Sequence, residues 1–453
     1  MSVAWKGIFA NRWFVGGLVL VAGVIYVGFS LKRSAEKNVD ASKSDQAAYM
    51  TSSRRMVEEN YDWMMPRNRM PAYSMWQSLF YEEGMEEEDF FREGKRRNIL
   101  LSVLVLIVAA GVMRRWLDWH GVLNVTGAAA FSMFVFKAPF FQAEVMYYGL
   151  FFLLFVAMVW QLQRPRWWLA IVCGILLGAC YLTKASIPPV VVLFLGFSVM
   201  GGIVIWWRGE RGGGRAFRCV VMALLAVVVF VGTAWPYLAN NKRVFDRYFY
   251  NVITTYRMWY DTMDEVYAPT GTRAHHDVSQ LPDLPPEQLP GMRKYLREHT
   301  VGQIVSRELK GLGNIYRESR HSYGWFKYVV LHVLMGVGML VFGREIRRGL
   351  LRDYGVPALF AVVLCVQTVV LCAWYGAMVA GGRFVQPLFL PALFCVNWAL
   401  CRCAGEAPLA RVVGWGSWRA SVGAIFRWGV TVLVLLDVGA LFLGRAMKYY
   451  GGN

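Results

Sequence analysis

Residues 144–208 read EVMYYGLFFLLFVAMVWQLQ, then RPR, then WWLAIVCGILLGACYLT, then KASI, then PPVVVLFLGFSVMGGIVIWW, then R. Three apolar runs follow one another with only a few polar residues between them. Each is close to the length of about 20 residues that a helix needs to cross a bilayer. Pro165, Pro188 and Pro189 stand at the breaks, where a helix interior would not tolerate them. A soluble core offers no room for three adjacent helices that are apolar on every side, so this stretch sets the class: a polytopic helical membrane protein.

The same reading extends along the chain. Of 453 residues, 57% are hydrophobic and 17% charged, and the mean hydropathy is +0.37. Spans are expected at about 13–31, 98–116, 121–138, 144–162, 167–184, 188–207, 217–238, 326–343, 355–376, 384–401 and 424–443, about eleven in all. The formal net charge of +18 gathers in every second break: Arg114 and Arg115, Arg164 and Arg166, Arg208 to Arg218, Arg344 to Arg352, Arg402 to Arg419. That alternation is the positive-inside pattern and places these breaks in the cytoplasm, so the charge reports topology and calls for no nucleic acid. Basic residues so placed attract anionic lipid headgroups. Lys6 and Arg12 precede the first run, which lacks a convincing cleavage site and reads as an uncleaved signal anchor with its N-terminus inside. The eight Cys lie in or beside apolar runs; no disulfide framework is expected, and the Cys401/Cys403 pair lacks the partners of a zinc site.

The expected organisation is an anchor helix (1–31), a first hydrophilic loop with short helices (32–97), helices two to seven (98–238), a second loop (239–325) and helices eight to eleven (326–453), all-α, with both loops outside. Helical patterning is visible around Gln46 to Glu59 and Ala72 to Tyr81, while the Pro-rich stretch Leu281 to Pro290 cannot be one helix. Ionisable groups within or at the rims of spans are costly and mark functional candidates: Glu144, Lys184, Arg383 and Asp437. The first three fall on the side of both loops; Asp437 also reads as a helix–helix hydrogen-bond partner. Asp45 opens a helix soon after the first span, where it either caps backbone N–H groups or serves as a general base, with Asp40 the competing carboxylate. The acidic run Glu82 to Asp89 reads as a solvated face and His275-His276-Asp277 as a polar loop, because neither has the spacing of a metal site. No metal or other cofactor is expected.

The order of motifs resembles the glycosyltransferase C superfamily, in particular the polyprenyl-phosphate-sugar-dependent branch with the protein O-mannosyltransferases and the lipid A aminoarabinose transferase. The resemblance rests on D-x-x-x-Y in the first loop (Asp45, Tyr49), a Pro-containing segment and short helix (Pro66 to Tyr81) and an acidic residue opening the fourth span (Glu144). It continues with G-x-x-x-G-x-x-x-L-[ST]-[KR] (Gly174, Gly178, Leu182, Thr183, Lys184), an aromatic-Pro-x-x-x-x-N phrase (Trp235, Pro236, Asn241) and G-R-[YF]-x-x-P (Gly382, Arg383, Phe384, Pro387). It covers about three quarters of the chain. Phe384 stands where Tyr is commoner, and the first loop is longer and more charged than the pattern. No aspartate pair like the metal motif of oligosaccharyltransferases occurs, which points to the metal-independent branch.

The resemblance implies transfer of a sugar from a polyprenyl-phosphate donor to an acceptor at the outer face of a bacterial inner membrane, with inversion. Asp45 would act as general base and Glu144 as a second catalytic carboxylate. Lys184 and Arg383 would hold the donor phosphate, with Tyr49 and Tyr73 contacting substrate. The sequence leaves the acceptor open among protein, lipid and glycan. Two other readings stand beside this one: a flippase of lipid-linked intermediates, disfavoured because the two halves look unlike, and a non-catalytic subunit of the same fold.

Overall fold

The computed structural model describes residues 12–43, 45–61, 68–207, 213–268, 289–321, 324–379, 381–415 and 418–444. Helix α1 (Arg12–Glu36) leads into the first loop, which holds α2 (Gln46–Glu58) and α3 (Pro71–Ser78). Then come α4 (Glu87–Met113), α5 (Trp119–Lys137), α6 (Glu144–Gln163), α7 (Trp167–Thr183), α8 (Pro188–Trp207) and α9 (Gly213–Phe245). The second loop carries α10 (Val252–Thr255), α11 (Met263–Tyr267), α12 (Met292–Glu298) and α13 (Val301–His321). It is followed by α14 (Trp325–Phe342), α15 (Arg344–Gly376), α16 (Phe389–Arg402) and α17 (Val422–Phe442).

Among the described residues, nine helices are long and apolar enough to cross a membrane: α1, α4, α5, α6, α8, α9, α14, α15 and α17. The two remaining expected spans fall on shorter helices. One is α7, with 17 residues; the other is α16, with 14, entered through the turns Gly382–Phe384 and Gln386–Leu388. Helices α5 and α6 bury most of their surface and form the centre, while α1 and α17 leave most of theirs to lipid. Two helix starts differ most from the sequence reading. Helix α4 starts about three turns early, so Glu87, Glu88 and Asp89 form its first turn, where carboxylates favour the positive helix end. Helix α15 also starts early and kinks at Tyr354 ahead of Pro357, whose ring excludes a regular turn behind it. The all-α expectation needs one correction: Val412–Trp415 and Trp418–Ser421 pair as an antiparallel hairpin before α17. Helix α13 was not visible in the loop sequence either.

Small residues set how closely the helices approach. A Cβ on Gly174 would lie 2.5 Å from the Ala226 carbonyl oxygen, and one on Gly178 would lie 2.5 Å from Thr233, so α7 meets α9 through this glycine face. Helix α13 crosses α15 at Gly311, where a Cβ would come within 1.8 Å of the Ala373 oxygen. The two loops meet at one end of the bundle: Tyr237 Oη and Asn251 Nδ2, at the root of the second loop, both reach the Met70 sulfur of the first, at 3.5 and 3.8 Å.

Candidate active site

Charge accumulates at that loop end. Asp45 occupies the N-cap position of α2, yet its side chain makes no capping bond. The capping alternative therefore gives way: one carboxylate oxygen, Oδ1, accepts from Arg69 Nη2, and Oδ2 accepts from Arg383 Nη1 at 3.1 Å. Glu144 opens α6 and is 4% exposed. Its Oε1 lies 3.5 Å from Lys184 Nζ and 3.9 Å from Arg383 Nη1, while its Oε2 is buried without a hydrogen-bond partner. Lys184 caps α7 in extended geometry, which lifts its side chain off the helix toward α6. Two carboxylates and three cations thus share one focus, built from α2, the approach to α3, α6, the end of α7 and the segment between α15 and α16.

Local structure explains how each group is held. The Gly382 to Pro387 phrase folds as two successive 3₁₀ turns. Tyr148, one turn along α6 from Glu144, donates to Gln386 Oε1 at 2.8 Å and approaches the Arg383 carbonyl at 3.1 Å, fixing the backbone that carries the guanidinium. Phe384 takes the edge of Tyr375, centroids 5.1 Å apart. Next to Asp45, the fully buried Gln46 exchanges amide hydrogen bonds with Asn38 and accepts from the Phe141 backbone N–H at 2.9 Å. Asn38 also donates to the Pro139 carbonyl, and Lys95 Nζ holds the carbonyls of Ser34 and Asn38. This chain of amides ties the start of α2 to the turn that precedes Glu144.

Of the residues singled out from sequence, Asp45, Glu144, Lys184 and Arg383 come together. Tyr49 and Tyr73 lie in the aromatic core of the first loop, ring centroids 5.1 Å apart, with Phe141 and Phe90 packed beyond. Tyr73 is fully buried and accepts from Gln77, which places it in the packing rather than on a surface open to substrate. The Tyr49 phenol borders the charges of Glu144, Arg69, Asp45 and Arg383. Asp40 is turned away, accepting from Ser42 at an exposed turn. Asp437 is elsewhere, paired with Lys327 and the Tyr328 hydroxyl, so its helix-pairing alternative holds. Of the acidic run, Asp89 pairs with Arg92 on α4, and His275 to Asp277 lie outside the described residues. Among the described residues no three His, Cys, Asp or Glu side chains converge as a metal site, and no disulfide joins the eight cysteines. Sequence reasoning missed Arg69, Tyr148 and Gln386. Arg69 stood in the Pro-bracketed segment before α3, and Gln386 inside the G-R-F-x-x-P phrase.

No family profile and no curated protein matches the sequence. Solved structures do match the fold. The archaeal oligosaccharyltransferase AglB from Archaeoglobus fulgidus, in complex with an inhibitory peptide and a dolichol-phosphate, aligns over 98% of this chain at 10% identity and a TM-score of 0.53. This chain covers 56% of that protein's length. ArnT from Cupriavidus metallidurans bound to undecaprenyl phosphate aligns over all of this chain and 75% of its own, at 15% identity and a TM-score of 0.47. The likeness to AglB is one of fold: this chain folds as that oligosaccharyltransferase does over 98% of its length.

Proposed function

We propose that this integral membrane protein is a glycosyltransferase that moves a sugar from a polyprenyl-phosphate donor to an acceptor hydroxyl or amine. The carrying observation is the convergence of Asp45 and Glu144 with Lys184 and Arg383 at the end of the bundle where both loops meet. In this reading the donor phosphate sits against Lys184 and Arg383, its lipid tail running between helices. Asp45 takes the acceptor proton, the acceptor oxygen or nitrogen forms its bond to the anomeric carbon, and the bond from that carbon to the phosphate oxygen breaks, with inversion. The negative charge growing on the leaving phosphate is stabilised by the two cations, whose effect is strongest where water is scarce. Glu144 keeps Lys184 and Arg383 close to one another despite their like charge.

Arg114, Arg115, Arg164, Arg166 and Arg344 lie at the other end of the bundle, which supports placing the loop end outside a bacterial inner membrane. The test is transfer from radiolabelled polyprenyl-phosphate sugars in liposomes. A positioned general base contributes about 10²- to 10⁴-fold, so Asp45→Asn and Asp45→Ala should both lose that much. Full activity in both variants would refute the assignment.

A further inference from the structure

The geometry points to Arg69 as the positioning residue of Asp45: it keeps Oδ1 while donor phosphate draws Arg383 away from Oδ2, so that donor binding uncovers the oxygen that takes the acceptor proton. This rests on the transferase reading above and adds a division of labour and an order of events to it.

Three observations carry it. First, the two oxygens of Asp45 are divided between two guanidinium groups, Arg69 on Oδ1 and Arg383 on Oδ2. With both in place, each oxygen already accepts one charged hydrogen bond, which weakens it as a base toward an incoming hydroxyl. Second, the two arginines are unlike in their other contacts. Arg383 Nη1 also faces Glu144 at 3.9 Å, and Glu144 in turn faces Lys184 at 3.5 Å, so Arg383 belongs to the group of cations that an anion would enter. Arg69 shares the first loop with Asp45, lies 5.9 Å from the Tyr49 ring centroid, and has Asp45 as its carboxylate partner. Third, a phosphate presents several anionic oxygens to a planar guanidinium fork, where Asp45 presents Arg383 only one. An anion between Lys184 and Arg383 therefore competes for Arg383 and leaves the Arg69 contact intact.

Once Arg383 has turned, Asp45 retains one fixed oxygen and one free oxygen. The proton of the acceptor passes to Oδ2, the sugar passes to the acceptor, and polyprenyl phosphate leaves with the electron pair of the broken bond. Without Arg69 the carboxylate would swing with Arg383 or rotate away, and the base would be present but misaimed.

The experiment uses the full chain in nanodiscs, with polyprenyl phosphate as the binding probe and radiolabelled donor for turnover. Arg69→Ala should bind polyprenyl phosphate within about 2-fold of wild type yet lose about 10- to 100-fold in kcat, the scale of a misplaced catalytic group. Arg69→Lys should recover most of the loss, which shows that the fold has survived. In an Asp45→Asn background Arg69→Ala should cost nothing further, because the two act as one unit. Arg69→Ala that weakens polyprenyl phosphate binding in step with turnover would overturn the inference and make Arg69 a phosphate ligand. So would a full additional loss in the Asp45→Asn background. An Asp45→Asn enzyme with wild-type transfer would remove Asp45 as the base and this inference with it, whereas a wild type that moves no label from any donor would instead sink the transferase reading.

Discussion

Arg383 Nη1 meets Asp45 Oδ2 at 3.1 Å although 338 positions separate them in the chain. The same nitrogen lies 3.9 Å from Glu144, so one guanidinium joins the first loop, the start of α6 and the segment leading into α16. Its backbone is held by Tyr148 and Gln386 and its side chain by two carboxylates, which leaves it little freedom without an incoming anion.

Truncating Arg383 should therefore destabilise the ligand-free protein as well as disable it. Removing one partner of a buried charge group costs about 3–5 kcal/mol because the other charge is stranded. The partial exposure of Arg383 places the expected loss at or below the lower end of that range. Glu144, 4% exposed, would lose one of the cations beside it and keep Lys184 at 3.5 Å. The expected result is a lower thermal midpoint for Arg383→Ala in detergent, partly restored in Arg383→Ala/Glu144→Gln. If the second change lowers the midpoint further, Glu144 is not the stranded group.

Lys184 depends on how closely α7 packs against α9. Val at Gly174 would place its side chain against the Ala226 carbonyl and Val229, and overpacking of this kind typically costs about 1–3 kcal/mol. Because the carbonyl is backbone, the helices must separate, and the end of α7 that carries Lys184 moves with them. Gly174→Val and Gly178→Val should both lower the midpoint and weaken polyprenyl phosphate binding. Gly232→Ala on α9, where a Cβ meets nothing within 4 Å, should leave both unchanged. Equal binding in all three variants would show that helix spacing does not govern Lys184.

The second loop should detach in a pH-dependent way. Asp261 accepts from Tyr295 at 2.7 Å, His299 at 2.9 Å and Arg307 at 3.0 Å, and Arg307 packs over Trp374 on α15. Burial pulls the His299 pKa down, but the bond to Asp261 and the Tyr295 carbonyl outweigh it, so its value stands above the usual histidine range. Burial likewise raises Asp261, but the bonds from Tyr295 and His299 and the positive charges beside it leave it below the usual carboxylate range. The His299 contribution is complete below about pH 6.5, its unfolded value, and is lost as pH rises through the higher folded value. The Asp261 contribution is complete above about pH 3.9 and is lost as pH falls through the lower folded value. Hydrogen-exchange protection in residues 256–268 and 292–299, corrected for the intrinsic exchange rate at each pH, should be greatest near pH 5 to 6 and fall on either side, within the limits set by the unfolded values. His299→Phe should abolish the alkaline loss of protection and keep the acid one.

Much of this was legible in the sequence because hydropathy and charge are local signals. A run such as Pro188 to Trp207 declares itself, and Glu144, Lys184 and Arg383 stand out as charges beside such runs. Their meeting point was not legible from local pattern, since Arg383 reaches Asp45 only through the packing of six helices; the family-like order of motifs carried that expectation. Arg69 looked like any charged loop residue, and nothing local says that its partner lies 24 positions back. Tyr73 packs fully buried in an aromatic core of the first loop, which the hydrophilic composition of that loop did not show. Helix α13 was hidden because its buried face, Arg307, Gly311, Ile315 and Ser319, is mostly not apolar. The hairpin before α17 escaped notice because it is two strands of four residues each.

Asp437 offers a contrast between charge proposed for chemistry and charge that serves packing. Its carboxylate joins α17 to α14 through Lys327 and the Tyr328 hydroxyl at 2.7 Å, and just below, His332 bonds the Tyr328 carbonyl at 2.7 Å and Asn397 of α16 at 3.0 Å. None of these groups touches the Asp45 and Glu144 focus. Asp437→Ala strands Lys327 at the edge of a lipid-facing helix, whereas Lys327→Met/Asp437→Leu removes both charges and fills the space with apolar atoms. Replacing a paired set of charges by apolar groups is often neutral or stabilising, while breaking one partner is costly. The single variant should therefore unfold at a lower temperature than the double, and the double should transfer sugar at the wild-type rate. A double variant that folds but has lost transfer would move Asp437 out of the scaffold and into the reaction.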